Sequence, residues 1–457
     1  MMRKNYILNI LFLVCALLCA CEPNGNPPDD PGKSHDSIPG EDPGTVVPGG
    51  DVQAVTAMPK SAKRGVSFSF TQVSDLPLLS DFISWDYNWG PAPTDAAAMW
   101  FDANEMDFCP MCWNGKYNAE RIRAYVEAHP KTKYLLAFNE PNLTDQANMT
   151  PKEAAELWPG VVALAKELGL KLVSPAMNYG TLAGYSNPIK WLDEFFAQPG
   201  VSIDDVDAIS VHCYMGSGSA VQGYIEMFEK YNKPIWLTEF CAWEPAPSGY
   251  NGQMDYMCSV LNYLERRPSV ERYAWFMPRM SGKLESVPYN QLLTHDYPAS
   301  LTELGKLYCW FSPMDTSVWL KTGRLIHAGE YTAVSKNALP LRPSTDEEAI
   351  RQARCNGLMV TNLSEGTSIT YQVYVTTPSH GKVVTMRYCG YSNSICEVLL
   401  DGKTLTHLSL PRTGSTDAWQ EAFASVSGVS EGAHTLTFKL LSGSCYFSGF
   451  GIHGTDD

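Results

Sequence analysis

Between residues 61 and 312 the chain repeats one pattern: a short apolar run, a polar loop and an amphipathic stretch of helical period. Eight runs carry it: 65–70 (GVSFSF), 82–86 (FISWD), 106–111 (MDFCPM), 134–138 (YLLAF), 171–176 (KLVSPA), 207–214 (DAISVHCY), 234–240 (PIWLTEF) and 272–277 (RYAWFM). Such near-continuous apolar runs suit strands buried on both faces, as in a parallel sheet covered by helices. The stretches between them carry helix punctuation. Thr150-Pro151-Lys152-Glu153 reads as a capping box with proline at the first helical position, and Gly169 as that helix's stop. Asn187-Pro188 opens another helix, and Pro130 closes the one that starts near Asn118. Eight strand–helix units in about 250 residues is the length of a (β/α)8 TIM barrel. A doubly wound sheet is the alternative, but no glycine-rich phosphate loop follows the first strand.

The flanks differ. Arg3 and Lys4 precede an apolar run, Tyr6 to Leu18, too short to span a bilayer. Leu18-Cys19-Ala20-Cys21 follows and resembles a bacterial lipobox, so residues 1–20 read as a lipoprotein signal peptide with Cys21 as the lipidation site. The expected location is the bacterial cell envelope, lipid-anchored to the outer membrane and surface-exposed. Residues 21–60 hold eight Pro, six Gly, seven acids and two lysines, the composition of an extended linker. Five of the 15 net negative charges therefore belong to that stalk. The acidic balance still speaks against nucleic acid as a partner. Cys109-Pro-Met-Cys112 has the spacing of a metal or redox pair. No second such pair exists, which favours a buried or disulfide-bonded role.

From residue 313 to 457 the runs become β-branched and alternating, as in 357–361, 368–375, 383–389, 395–400 and 434–440. Asp401-Gly402 reads as a hairpin turn. This part is expected to be a β-sandwich.

A barrel places its chemistry at the C-terminal ends of its strands. Two carboxylates stand there on opposite sides: Glu140, after the fourth run, and Glu239, at the end of the seventh. Around them are Trp89, Trp113, Asn114, Asn139, Tyr179, His212, Tyr214 and Trp275, aromatic and amide groups suited to stacking on sugar rings and bonding hydroxyls. Ten of 12 Trp fall between Trp85 and Trp310, so this tendency belongs to the barrel. Glu244, five residues further on, is a rival to Glu239, and Asp86 reads as a structural acid.

The strings Phe138-Asn139-Glu140-Pro141-Asn142, His212-Cys213-Tyr214 and Trp236-Leu237-Thr238-Glu239-Phe240 resemble glycoside hydrolase family 128, known for β-1,3-glucanases. The resemblance implies a retaining endo-β-1,3-glucanase acting by double displacement, with Glu140 as general acid/base and Glu239 as nucleophile. It implies that Asn139 bonds the sugar 2-hydroxyl, and it needs neither cofactor nor metal. Rival readings are a non-catalytic glycan-binding surface lipoprotein and a retaining hydrolase of another β-glycan. The C-terminal part is similar to carbohydrate-binding module family 6, a jelly roll. That likeness implies a secondary sugar site at Trp419 and Tyr446, although Ser444-Cys445-Tyr446-Phe447 stands where that family has an Asn. The alternative is a domain that only braces the barrel.

Overall fold

The computed structural model describes residues 52–336, 338–376 and 382–454. The expected signal peptide, Cys21 and the expected linker up to residue 51 lie outside the described residues. Among those described, no helix is long and apolar enough to cross a membrane.

Chain order begins with β1 (Gln53–Val55) and then eight parallel strands: β2 (Arg64–Ser67), β3 (Trp85–Tyr87), β4 (Asp107–Phe108), β5 (Tyr134–Leu136), β6 (Lys171–Val173), β7 (Ile209–Met215), β8 (Ile235–Glu244) and β9 (Val270–Trp275). Full ladders join β4–β3–β2–β9–β8–β7 and β5–β6. Single parallel bridges complete the circuit: Met111 to Leu136 beyond β4, and Val173 to Ala208 and Met177 to Val211 between β6 and β7. Each strand is thus joined to the next, and the last to the first.

Seven helices cross between or follow these strands: α1 (Asp95–Ala103), α2 (Ala119–Ala128), α3 (Pro151–Leu168), α4 (Pro188–Phe196), α5 (Gly218–Glu226), α6 (Gly249–Arg266) and α7 (Glu303–Trp310). The expected eighth, between β2 and β3, is instead a short 3-10 segment, Val73–Leu78, with Pro77 inside it. Proline removes a donor that a longer α-helix would need. The punctuation acts where the sequence placed it. Thr150 and Glu153 close a reciprocal capping box on α3, and Gly169 ends it at φ 65°. Asn187 caps α4 with Pro188 at its first turn.

Inside the ring, Trp85, Tyr87, Cys109, Met111, Tyr134, Leu136, Val173, Ala208, Trp236 and Ala274 form their own apolar cluster. Gly65 makes room for it: a Cβ there would stand 2.5 Å from the Trp85 indole nitrogen. That nitrogen donates to the Lys63 carbonyl at 3.0 Å. Arg272 stacks on the faces of Tyr134, Trp236 and Trp85, 4.6, 4.8 and 5.5 Å from their centroids. It also pairs with Asp107. Cys109 belongs to this inner cluster and Cys112 to the larger core outside the ring, and both are free. The two are not joined in a disulfide, and both fill apolar space.

The C-terminal part comprises β10 (Val318–Lys321), β11 (Ile326–His327), β12 (Ala333–Val334), β13 (Leu341–Pro343), α8 (Glu347–Ala353), β14 (Leu358–Ser364), β15 (Ser368–Val375), β16 (Lys382–Gly390), β17 (Ser394–Leu400), β18 (Lys403–Leu410), β19 (Ser415–Val426), β20 (Gly432–Ser442) and β21 (Ser444–Gly454). One sheet runs β1–β10–β15–β20–β17–β18 and the other β13–β14–β21–β16–β19. Rings from the two sheets meet: Tyr371 and Phe438 lie 4.6 and 4.9 Å from Phe450, centroid to centroid. Asp401 and Gly402 turn the β17–β18 hairpin, both at positive φ. One boundary needs correction. Gln53–Val55 falls in the segment read as linker, yet it forms β1, paired in parallel with Val318–Leu320. The edge of β10 gives these residues backbone partners, which the Pro/Gly-rich composition around them hides.

Candidate active site

Glu140 follows β5 at the point where the chain leaves the strand. Its φ is 42°, a left-handed conformation costly for a side chain of this size. Strain of this kind collects at functional sites. The backbone is fixed by Glu140 N–H to the Ala176 carbonyl at 3.0 Å and by Asn139 N–H to the Trp113 carbonyl at 2.9 Å. The residue is 6 % exposed. Its Oε1 accepts from Asn178 Nδ2 and pairs with His212 Nδ1, each at 3.0 Å. Its Oε2 takes no protein donor among the described residues.

Glu239 arrives differently. On β7–β8 the register slips by one residue, so that Val211 pairs with Leu237 but His212 pairs with Glu239. Thr238 is the extra residue, held by Ser210 at 2.7 Å. A bulge of this kind re-aims a side chain, here bringing Glu239 beside His212. Glu239 is 5 % exposed. Oε1 accepts from the Tyr87 hydroxyl at 2.9 Å and the Trp89 indole N–H at 2.7 Å, and Oε2 accepts from the Tyr214 hydroxyl. His212, fully buried, stands between the carboxylates, its Nδ1 3.5 Å from Glu239 Oε2. Donor atoms of Glu140, His212 and Glu239 all lie within 4.8 Å of one another, close enough to hold a metal ion as well as to share a proton.

The charges follow from burial and proximity. Burial raises the Glu239 carboxyl, and the neighbouring charge of Glu140 raises it further. His212 and the donors Tyr214 and Trp89 act the other way. Burial alone would discharge His212, but the two glutamates outweigh it and push its pKa up.

The other expected site residues fall into three groups. Asn139 is buried at the site, with Nδ2 given to Gln146 and Oδ1 unpartnered among the described residues. Trp113, half-buried, packs against the inner cluster, and Asn114 caps the turn at Lys116 N–H at 2.9 Å. Tyr179 is half-exposed with its ring on Tyr224. Trp89 and His212 stand at the carboxylates, their ring nitrogens on Glu239 and Glu140. Trp275 is a correction: it is fully buried, with its indole N–H on the Asn290 carbonyl at 2.7 Å. The adjacent residue, Phe276, is the one that turns out, packed among Trp89, Tyr214 and Trp243. Trp419 and Tyr446 are half-buried on β19 and β21 of one sheet. Glu244 ends β8, and its side chain lies outside the described part.

Three residues at the carboxylates were not in the expected set. Tyr87 had a readable signal: in Trp85-Asp86-Tyr87-Asn88-Trp89 the period of two puts 85, 87 and 89 on one face. Asn178 had a weaker signal, an amide two residues past the fifth apolar run, whereas Phe276 had none, since it lies one residue from Trp275.

Two buried carboxyls from opposite strands, one anchored by three donors and one with a free oxygen, define an α/β enzyme of the glycoside-hydrolase class. The chain belongs to the glycosyl hydrolase catalytic core family, whose sequence model matches residues 65–308. It is similar to the crystal structure of a family 128 subgroup II endo-β-1,3-glucanase from Pseudomonas viridiflava: 39 % identity, 55 % of this chain, 98 % of that one, TM-score 0.50. A subgroup II endo-β-1,3-glucanase from Sorangium cellulosum is 33 % identical, over 54 % of this chain and 97 % of that one, with a TM-score of 0.48. Alkali-sensitive linkage protein 1 of Schizosaccharomyces pombe is 27 % identical over 268 residues, 54 % of this chain. The chain spans 44 % of that relative's length.

Proposed function

We propose that this protein is a retaining endo-β-1,3-glucanase. The observation that carries the reading is the pair Glu140/Glu239, with carboxylate oxygens within 4.8 Å. Carboxylates this near one another fit the close pairing of retaining hydrolases, at about 5–5.5 Å between carboxyls, better than the wider gap of inverting enzymes. Glu140 delivers a proton from its free Oε2 to the glycosidic oxygen as the bond to the anomeric carbon breaks. The electron pair leaves with that oxygen, and Glu239 attacks the anomeric carbon to form a glycosyl-enzyme. Glu140 then takes a proton from water, whose oxygen displaces Glu239. The unpartnered Oδ1 of Asn139 receives the sugar 2-hydroxyl. The 39 % identical glucanase supports a β-1,3-linked glucan as substrate.

The reading extends to the architecture and the setting. The closed circuit of parallel strands supports a (β/α)8 barrel over 61–312, and the two facing sheets support a jelly-roll sandwich over 313–457. The sandwich is read as a relative of carbohydrate-binding module family 6, with Trp419 and Tyr446 as its sugar contacts. Residues 1–20 direct export, lipid on Cys21 holds the chain at the outer membrane, and residues 21–60 serve as the stalk. Product analysis on laminarin, curdlan, pustulan and mixed-linkage glucan tests the function. Laminarin and curdlan should yield short β-1,3 oligosaccharides, and Glu239→Gln should abolish turnover while keeping oligosaccharide affinity. Inactivity on every β-1,3-linked substrate overturns the reading.

A further inference from the structure

The two glutamates and His212 also meet the geometric demand of a transition-metal ion. From His212 Nδ1 it is 3.0 Å to Glu140 Oε1 and 3.5 Å to Glu239 Oε2. Ligand atoms on a tetrahedral zinc at ordinary bond lengths stand about 3.3–3.4 Å apart. Two edges of the ligand triangle are therefore already near zinc spacing. One imidazole nitrogen with two carboxylate oxygens is a donor set that suits zinc, whereas calcium and magnesium prefer oxygen alone. The three residues are at most 6 % exposed, His212 and Glu239 within β7 and β8 and Glu140 just past β5, so little ordering remains to be done on binding. Two carboxylates this close repel when both are ionised; a dication neutralises both at once.

We propose that Glu140, His212 and Glu239 form an inhibitory zinc site, in which the ion and the glucan exclude one another. The inference rests on the catalytic assignment of the two glutamates. Coordination holds Glu140 as a carboxylate with no proton to deliver and ties up the oxygen with which Glu239 attacks. The site is weaker than a structural zinc centre. A histidine that binds metal through Nδ1 carries its proton on Nε2, normally given to a carbonyl or carboxylate. Here Nε2 is buried with no partner among the described residues. Binding is therefore reversible by a chelator.

The test is calorimetric titration of Zn2+ into the sugar-free protein, with Mg2+ in parallel, on wild type, His212→Gln and Glu140→Gln, each checked for a native melting transition. Wild type should bind one zinc at this site and no magnesium, and each variant should bind it at least tenfold more weakly. In saturating laminarihexaose with non-hydrolysable thio linkages, which needs no substitution, wild-type zinc affinity should fall at least tenfold. Zinc should raise KM for laminarin at unchanged kcat, reversed by EDTA. Equal zinc affinity in both folded variants places the ion elsewhere, for example at the exposed Cys355, and overturns the proposal. So does inhibition that lowers kcat without competing with laminarin, or zinc uptake indifferent to laminarihexaose. The titration needs no turnover. Site-dependent zinc binding in a protein that cleaves no β-1,3-glucan would uphold the metal site and remove the glucanase reading instead.

Discussion

Glu239 carries a conflict that its neighbours resolve. Burial and Glu140 both favour the protonated acid, whereas the proposed nucleophilic role requires the anion. Tyr87, Trp89 and Tyr214 donate to that anion. Removing one donor raises the carboxyl further, so the ionised fraction at acid pH falls. For Tyr214→Phe the acid limb of kcat/KM should move to higher pH by about 1–2 units, the worth of a hydrogen bond to a charged group at roughly 1.5–3 kcal/mol. A pH–rate profile on laminarin measures it, and a limb that stays put would remove Tyr214 from this role. Asp86, beside Tyr87 on β3, poses the opposite problem. It is buried, its Oδ1 is unpartnered among the described residues, and burial raises its carboxyl well above the usual range. A carboxyl raised on folding stabilises most below its unfolded pKa, and that contribution is lost as pH rises toward the folded value. Asp86→Asn has no such loss. Its melting temperature should match wild type near pH 4 and exceed it at pH 8 by several degrees, roughly 1–3 kcal/mol of relief for one buried polar group. Paired melts at the two pH values decide it.

At the scale of elements, α3 is the clearest case of local sequence dictating local structure. Thr150, Pro151, Glu153 and Gly169 each do what their positions predict. Thr150→Ala should therefore cost about 1 kcal/mol, with kcat and KM unchanged, because the cap is exposed and lies outside the site. Chemical denaturation with a parallel laminarin assay checks both halves. The strands of the ring were legible for the same kind of reason: buried on both faces, they read as unbroken apolar runs. Elements that lack a clean pattern were not. In β19, STDAWQEAFASV, most residues face solvent, so the alternation of a half-buried strand is lost. In β21, SCYFSGFGIHG, glycines and serines sit among the apolar residues although nearly all are covered. The site divides along the same line. Glu140 and Glu239, which the structure brings together, were readable as carboxylates at or just past the ends of two apolar runs. Trp275 and Phe276 could not be told apart, since a shift of one residue decides which ring is core and which faces the site. The bulge at Thr238 left no mark in the sequence, yet it sets the partner of Glu239.

Across the whole molecule, the ring and the C-terminal sheets share one core rather than two. Arg64, buried beneath the ring, donates to the carbonyls of Tyr308, Cys309 and Phe311 and pairs with Glu265 at 2.7 Å. It thereby fixes the end of α7 and the start of the following segment to β2. Just beyond, Ser312 donates to the Tyr331 carbonyl at 2.6 Å, and Phe311 meets the Tyr331 ring. Leu341 N–H contacts Cys258 of α6, and Arg342 pairs with Asp255 on the same helix. The chain before the ring contributes too, because β1 pairs with β10 of the C-terminal sheet. A cut after residue 312 leaves the ring's covalent frame intact but strips α6 and α7 of their cover. Leu341 and Tyr331, both fully buried, would vanish from contacts that a catalytic domain alone cannot replace. Burying side chains of this size is worth roughly 1.5–3 kcal/mol each, and a domain holds only about 5–15 kcal/mol in reserve. Residues 52–312 expressed alone should therefore melt well below the full chain or fail to stay soluble, whereas the full chain should unfold in one transition. Differential scanning calorimetry of both distinguishes the cases. Two separate transitions in the full chain, with one matching the truncated protein, would mean that the sheets are an independent passenger and the brace described here carries no load.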